Sequence, residues 1–141
     1  MLKGVPAVIS PDLLKILAEM GHGDELVIAD AHFPSHSIGK IVTHADALSS
    51  TALLKAVLKL IEPDQYVDKP VVMMQPVPGD SADPNLVADC RAALGKDADR
   101  IDFIERFDFY ERARNAYAVV VSGETRVYGN IIIKKGVTPS E

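Results

Sequence analysis

Between His22 and His36 the sequence sets down His22, Asp24, Asp30, His32 and His36, with Glu25 alongside, a dense run of side chains that can exchange protons. Imidazole titrates near pH 6.5, and a neighbouring carboxylate orients it, so a His and Asp pair suits proton transfer at neutral pH. His22 follows the end of one expected helix and Asp30 ends the strand after it, which would let both reach one mouth of a sheet. The competing structural reading has His22 capping helix carbonyls and Asp30 capping a turn. The competing chemistry is a metal held by His22, His32 and His36. His32 and His36 flank Pro34, however, so their spacing is not the one-face helical pair of metalloprotease motifs, and no metal is expected.

Two groups near the other end have chemistry of a different kind. Arg106-Phe-Asp-Phe-Tyr110-Glu-Arg112 mixes aromatic rings with guanidinium groups at an expected strand-to-helix junction, a combination that suits sugar hydroxyls and ring faces. A packed aromatic cluster flanked by ion pairs is the plainer alternative. Tyr128-Gly129-Asn130 interrupts an apolar run. A glycine inside a strand pattern marks either a bulge or a close approach of backbone or ligand, and Tyr128 and Asn130 would bring an OH and an amide to the same place. Cys90 falls on the apolar face of an expected helix and reads as core filling, not as a nucleophile. No Ser stands in a GxSxG setting and no Gly-rich phosphate loop is present.

The elements that must position these groups alternate. Ser10-Pro11-Asp12 reads as cap, first helical residue and first-turn acid of a helix over 11–20, and Glu25 to Asp30 reads as a buried strand. Residues 31–38, AHFPSHSI, form a loop leaving that strand's carboxyl end, the usual place for a site in an open α/β sheet. A helix is expected over 50–60, a strand over 70–75, a helix from Asp83-Pro84 to Gly95, a strand over 101–104 and a short helix over 107–116. Strands over 117–122 and 125–133 around Gly123-Glu124 read as a C-terminal β-hairpin. The fold expected is a single α/β domain over residues 1–141, with a mixed central sheet flanked by helices.

Composition narrows the function classes. The 141 residues carry 15 Lys+Arg against 20 Asp+Glu, a net charge of −5, which disfavours nucleic acid as a partner because phosphate neutralisation needs clustered cations. No run approaches the ~20 apolar residues of a membrane span, and Pro6, Pro11 and Asp12 break any signal-peptide core, so a cytoplasmic protein is expected. One cysteine permits no internal disulfide.

Taken together, the segments LKGVPAVISPDLLKILAEMGHGDELVIADAHFPSHS, PVVMMQPVPGD and ERFDFYERARNAYAVVVSGETRVYGNIIIKKGV resemble the fucose mutarotase and ribose pyranase family, also known as sugar transport accessory proteins. EMGHGDE, DAHFPSHS and YGNIIIKKG lean toward the L-fucose branch. The resemblance implies a cofactor-free, metal-free enzyme that interconverts monosaccharide anomers, assembled as a ring-shaped homo-oligomer, commonly a decamer. By position it implies His22 as the catalytic histidine and Asp30, Arg106, Tyr128, Gly129 and Asn130 as sugar-binding residues, with Tyr110 a further candidate for the pocket and Tyr128 a candidate second proton-transfer group. A sugar-binding accessory protein without turnover would use the same pocket.

Overall fold

The caps expected from the sequence start the helices. The Ser10 hydroxyl accepts the Leu13 N–H at 3.1 Å and opens helix α1, Pro11–Glu19. The Asp83 carboxylate accepts the Asn85 N–H at 2.9 Å and opens α4, Pro84–Leu94. The Glu105 carboxylate accepts the N–H groups of Phe107 and Asp108 and opens α5, Arg106–Asn115, which fixes Arg106 as the first helical residue. The computed structural model describes residues 1–140 and adds helices α2, Ser35–Ile38, and α3, Ser50–Val57. Its strands are β1 Glu25–Ala29, β2 Val42–Ala45, β3 Val71–Met74, β4 Ile101–Ile104, β5 Ala118–Ser122 and β6 Ile131–Lys134.

These strands make one sheet in the order β2-β5-β1-β6-β3-β4. All run parallel except β6, which lies antiparallel between β1 and β3. Period-two alternation divides the core. Leu26, Ile28, Val71, Met73, Ile131 and Ile133 pack with the apolar faces of α1, α3 and α4. Val27, Ala29, Val72, Met74, Val119 and Ile132 pack on the other side with Phe33, Ile38, Phe109 and Ala113 from the α2 and α5 region. Burial on both faces explains why the strands read as unbroken apolar runs. Cys90 is fully buried in the first of these clusters, and burial pushes its thiol up to about 12.

Three features differ from the expectation. The loop at 31–38 contains the single turn α2. The strand β2 lies in a stretch that gives no strand signal, because VTHA is a short edge strand, largely half-buried, and needs no apolar run. The last two strands do run antiparallel, but β1 is inserted between them, so they pair with β1 and not with each other. The connection 123–130 therefore passes over the end of β1. It consumes residues expected in the last strand, and Tyr128 within it adopts a left-handed φ of 65° that no strand could contain.

Candidate functional site

Because β6 runs against its neighbours, its first residues meet the carboxyl ends of β1 and β3. Asp30 follows β1, Gln75 to Asp83 follow β3, Arg106 follows β4, and Asn130 precedes β6, so four connections converge at one end of the sheet. They enclose an open cleft of about 400 Å³ lined by Asp30, His32, Arg106, Tyr110, Tyr128 and Asn130 among others, a size within the range of small-ligand sites. Phe33, Met74, Val77 and Val127 supply apolar wall.

Asp30 is buried at the end of β1, and its carboxylate accepts three N–H groups. His32 N–H donates to Oδ1 at 3.0 Å, while Gly129 N–H and the Asn130 side-chain amide each donate to Oδ2 at 3.2 Å. Burial pushes its pKa above the ordinary value, and the hydrogen bonds oppose that shift only in part. Gly129 is required by space. A Cβ there would lie 2.8 Å from Glu124 Cγ and 3.0 Å from the Arg126 carbonyl oxygen. The connection is braced in turn by the Glu124 and Arg126 ion pair at 2.8 Å, by Ser50, whose hydroxyl donates to Glu124, and by Asp89.

Arg106 is exposed at the rim. Its Nε donates to Tyr110 Oη at 3.0 Å and its guanidinium lies 5.3 Å from the Tyr110 ring, so Tyr110 both stacks on and orients it. Tyr110 rests edge-on against Phe33 at 5.6 Å. Opposite, Tyr128 donates its hydroxyl hydrogen to Asp80 at 2.6 Å and accepts the Val77 N–H at 3.2 Å.

His22 is not in this cleft. It precedes β1, and the five residues of β1 at ~3.3 Å each put roughly 16 Å of strand between the two ends. The expectation that His22 and Asp30 share one mouth of the sheet is thus corrected for a single chain, because they stand at opposite ends of the same strand. Nor does the His22 side chain cap α1; Lys135 Nζ instead donates to the carbonyls of Leu17 in its last turn and of Met20 just beyond it. Its Nε2 lies 2.9 Å from Oδ1 of the buried Asp64, and its ring lies against Tyr66 at 5.2 Å. Burial pushes the Asp64 carboxyl up, but the Tyr66 N–H and His22 together hold it below the ordinary value. The other histidines go elsewhere. His32 Nε2 points to the Thr125 carbonyl, and His36 Nε2 meets His44 Nε2 at 2.8 Å. Among the described residues no three His, Cys, Asp or Glu side chains are grouped to hold a metal.

Residues 3–138 match the model of the RbsD / FucU transport protein family. The chain belongs to the RbsD / FucU family. Its relatives include the L-fucose mutarotase of Actinobacillus pleuropneumoniae serotype 5b, 56% identical over 142 residues and 99% of both chains. The L-fucose mutarotase of Haemophilus influenzae strain PittGG is 57% identical over 143 residues, again 99% of both. Among solved structures, the fucose mutarotase of Streptococcus pneumoniae in complex with L-fucose superposes with a TM-score of 0.92 at 45% identity, covering 98% of this chain and 100% of that one.

In this RbsD / FucU chain the cleft brings together Asp30, Arg106, Tyr110, Tyr128 and Asn130, with Gly129 behind them on the Asp30 carboxylate, and leaves out His22. Within the Tyr-Gly-Asn triplet, Tyr128 and Asn130 line the cleft, and Gly129 and Asn130 also brace Asp30. Both atoms of the Asn130 amide are engaged with Asp30, so this side chain fixes the carboxylate. Sequence reasoning missed Asp64, Asp80 and Val77. Asp64 is visible only as an acid in the Pro63-Asp64 turn, and Asp80 as the end of PVPGD, and neither carries a contact signal in sequence alone.

Proposed function

We propose that the protein is an L-fucose mutarotase, a cofactor-independent isomerase that interconverts the α and β anomers by opening and closing the sugar ring. The observation that carries this is the buried Asp30 carboxylate, fixed by three N–H donors in a cleft that also holds a guanidinium and two phenols. Full-length relatives at 56–57% identity bear that activity in their names. Residues 1–141 act as a single mutarotase-like domain.

Ring opening requires a proton to leave the anomeric hydroxyl as another reaches the ring oxygen, and closure reverses both. A carboxylate has about four lone-pair positions, so Asp30, with three donors, keeps one acceptor for a sugar hydroxyl. Arg106, held by Tyr110, donates to further hydroxyls. Tyr128 stands at the opposite wall as a proton-transfer group. His22 is the other, and since it stands far from its own cleft it serves the cleft of a neighbouring copy. With Nε2 bonded to Asp64, its Nδ1 is the nitrogen left for substrate, and Asp64 stabilises the imidazolium. Exposed Tyr66 beside His22 and exposed Phe107 and Val127 at the cleft rim give both ends apolar surface for such a contact. The assembly is a closed homo-oligomer, a decamer in the form the family resemblance implies, working in the cytoplasm.

The test is polarimetry of freshly dissolved α-L-fucose. The wild-type chain speeds the approach to equilibrium rotation and Asp30→Asn does not. An unchanged rate with wild-type protein overturns the reading and favours a sugar-binding accessory protein.

A further inference from the structure

The segment PVVMMQPVPGD contributes the loop after β3, and its last residue has no role in the chemistry above. Asp80 is turned toward the cleft by its own loop. Its N–H donates to the Val77 carbonyl at 3.0 Å, and the Ser81 N–H donates to its Oδ1 at 2.8 Å. The second oxygen, Oδ2, is left to receive the Tyr128 hydroxyl at 2.6 Å, a short charge-assisted bond. The same phenol oxygen accepts the Val77 N–H. A phenol has one hydrogen and two lone pairs, so one lone pair remains. Tyr128 can therefore meet a sugar hydroxyl only as an acceptor.

We propose that Asp80 is a positioning residue for mutarotation, acting through Tyr128: it holds the phenol hydrogen away from the substrate, so that the phenol oxygen receives the proton of the anomeric hydroxyl. The inference rests on the mutarotase reading. In ring opening the anomeric O–H proton passes to Tyr128 Oη while the phenol's own proton passes to Asp80 Oδ2. The O1–C1 bond becomes C=O as C1–O5 breaks, and O5 takes a proton from the imidazolium of His22 of the neighbouring copy, which is left as neutral imidazole. Tyr128 is neutral before and after, and Asp80 ends protonated until closure returns the proton. This route avoids a phenolate, which is disfavoured here because the hydrogen bond to Asp80 holds the Tyr128 pKa above its ordinary value. Tyr128 makes these contacts from a left-handed backbone conformation, φ 65°.

The experiment measures L-fucose α/β exchange by saturation-transfer NMR, as kcat and KM, for wild type, Asp80→Asn, Asp80→Glu, Tyr128→Phe and the Asp80→Asn/Tyr128→Phe double variant. Asparagine cannot take the phenol proton, so kcat falls about tenfold with KM near wild type. Glutamate recovers part of the loss, and Asp80→Asn has no further effect once Tyr128 is phenylalanine. Wild-type kcat in Asp80→Asn overturns the proposal, as does a rise in KM alone or an equal loss in the Tyr128→Phe background. A wild-type chain that fails to accelerate exchange overturns instead the mutarotase reading beneath it.

Discussion

Asp30 and Asn130, 100 residues apart, grip each other at two points: the Asp30 N–H donates to Asn130 Oδ1 at 2.7 Å, and Asn130 Nδ2 donates to Asp30 Oδ2 at 3.2 Å. The end of β1 and the start of β6 are thereby tied at the floor of the cleft. Both residues are buried, so neither partner has water as a substitute. Asn130→Ala should lower stability by about 2 kcal/mol, since it orphans a buried N–H and strips a donor from the carboxylate. Urea unfolding measures the stability loss, and L-fucose binding should weaken with it.

Gly129→Ala should be nearly as damaging although it adds one methyl group. The new Cβ would press on Glu124 Cγ, which the Arg126 and Ser50 contacts prevent from yielding, and on the Arg126 carbonyl oxygen. Overpacking of this kind costs about 1–3 kcal/mol, and here it also pushes the connection away from Asp30. Thermal unfolding should show the loss. A fully stable, fully active Gly129→Ala chain would mean that the close approach at this position has no consequence.

The two buried carboxyls near the cleft should respond to pH with opposite signs. Glu124 is held below its ordinary 4.5 chiefly by the hydrogen bond from Arg126, so its share of stability is present above pH 4.5 and is lost as pH falls through the lower folded value. Asp30 is raised by burial above its ordinary 3.8, so its contribution is largest below 3.8 and declines as pH rises through the folded value. Glu124→Gln should flatten the acid side of a stability profile measured by denaturant unfolding. Activity should fall on the acid side with a midpoint above the ordinary aspartate value, as Asp30 protonates and loses its acceptor.

Much of the fold was legible because local chemistry and burial agree. The caps at Ser10 and Asp83 and the apolar runs at 25–29, 71–74 and 118–122 each dictate one element. What was not legible depends on pairing across the chain. The insertion of β1 between β5 and β6 leaves no mark on Gly123-Glu124, which reads as a hairpin whether its strands are neighbours or flank a third. Asp30, Arg106 and the Tyr128 to Asn130 triplet stood out by residue type. That Gly129 and Asn130 support Asp30, and that His22 lies at the far end of β1, are consequences of strand direction, which side-chain spacing does not encode.

Two inactive chains should repair each other if His22 of one copy serves the cleft of the next. His22→Ala and Asp30→Asn, co-expressed, would assemble randomly, and about a quarter of the sites would then combine an intact His22 with an intact Asp30. Exchange activity near a quarter of wild type is expected. No recovery in a mixed oligomer confirmed by mass would place the two residues' action within one chain or remove His22 from the reaction.

Turnover is read directly by saturation-transfer NMR on the anomeric protons of L-fucose at equilibrium, with catalytic amounts of protein, a chelator present, and D-ribose for comparison. Irradiating the α anomer should attenuate the β signal of L-fucose with wild-type protein and leave it unchanged with Asp30→Asn. Detectable L-fucose binding to the wild-type chain with no transfer between anomers would exclude mutarotation and leave a sugar-binding protein without turnover.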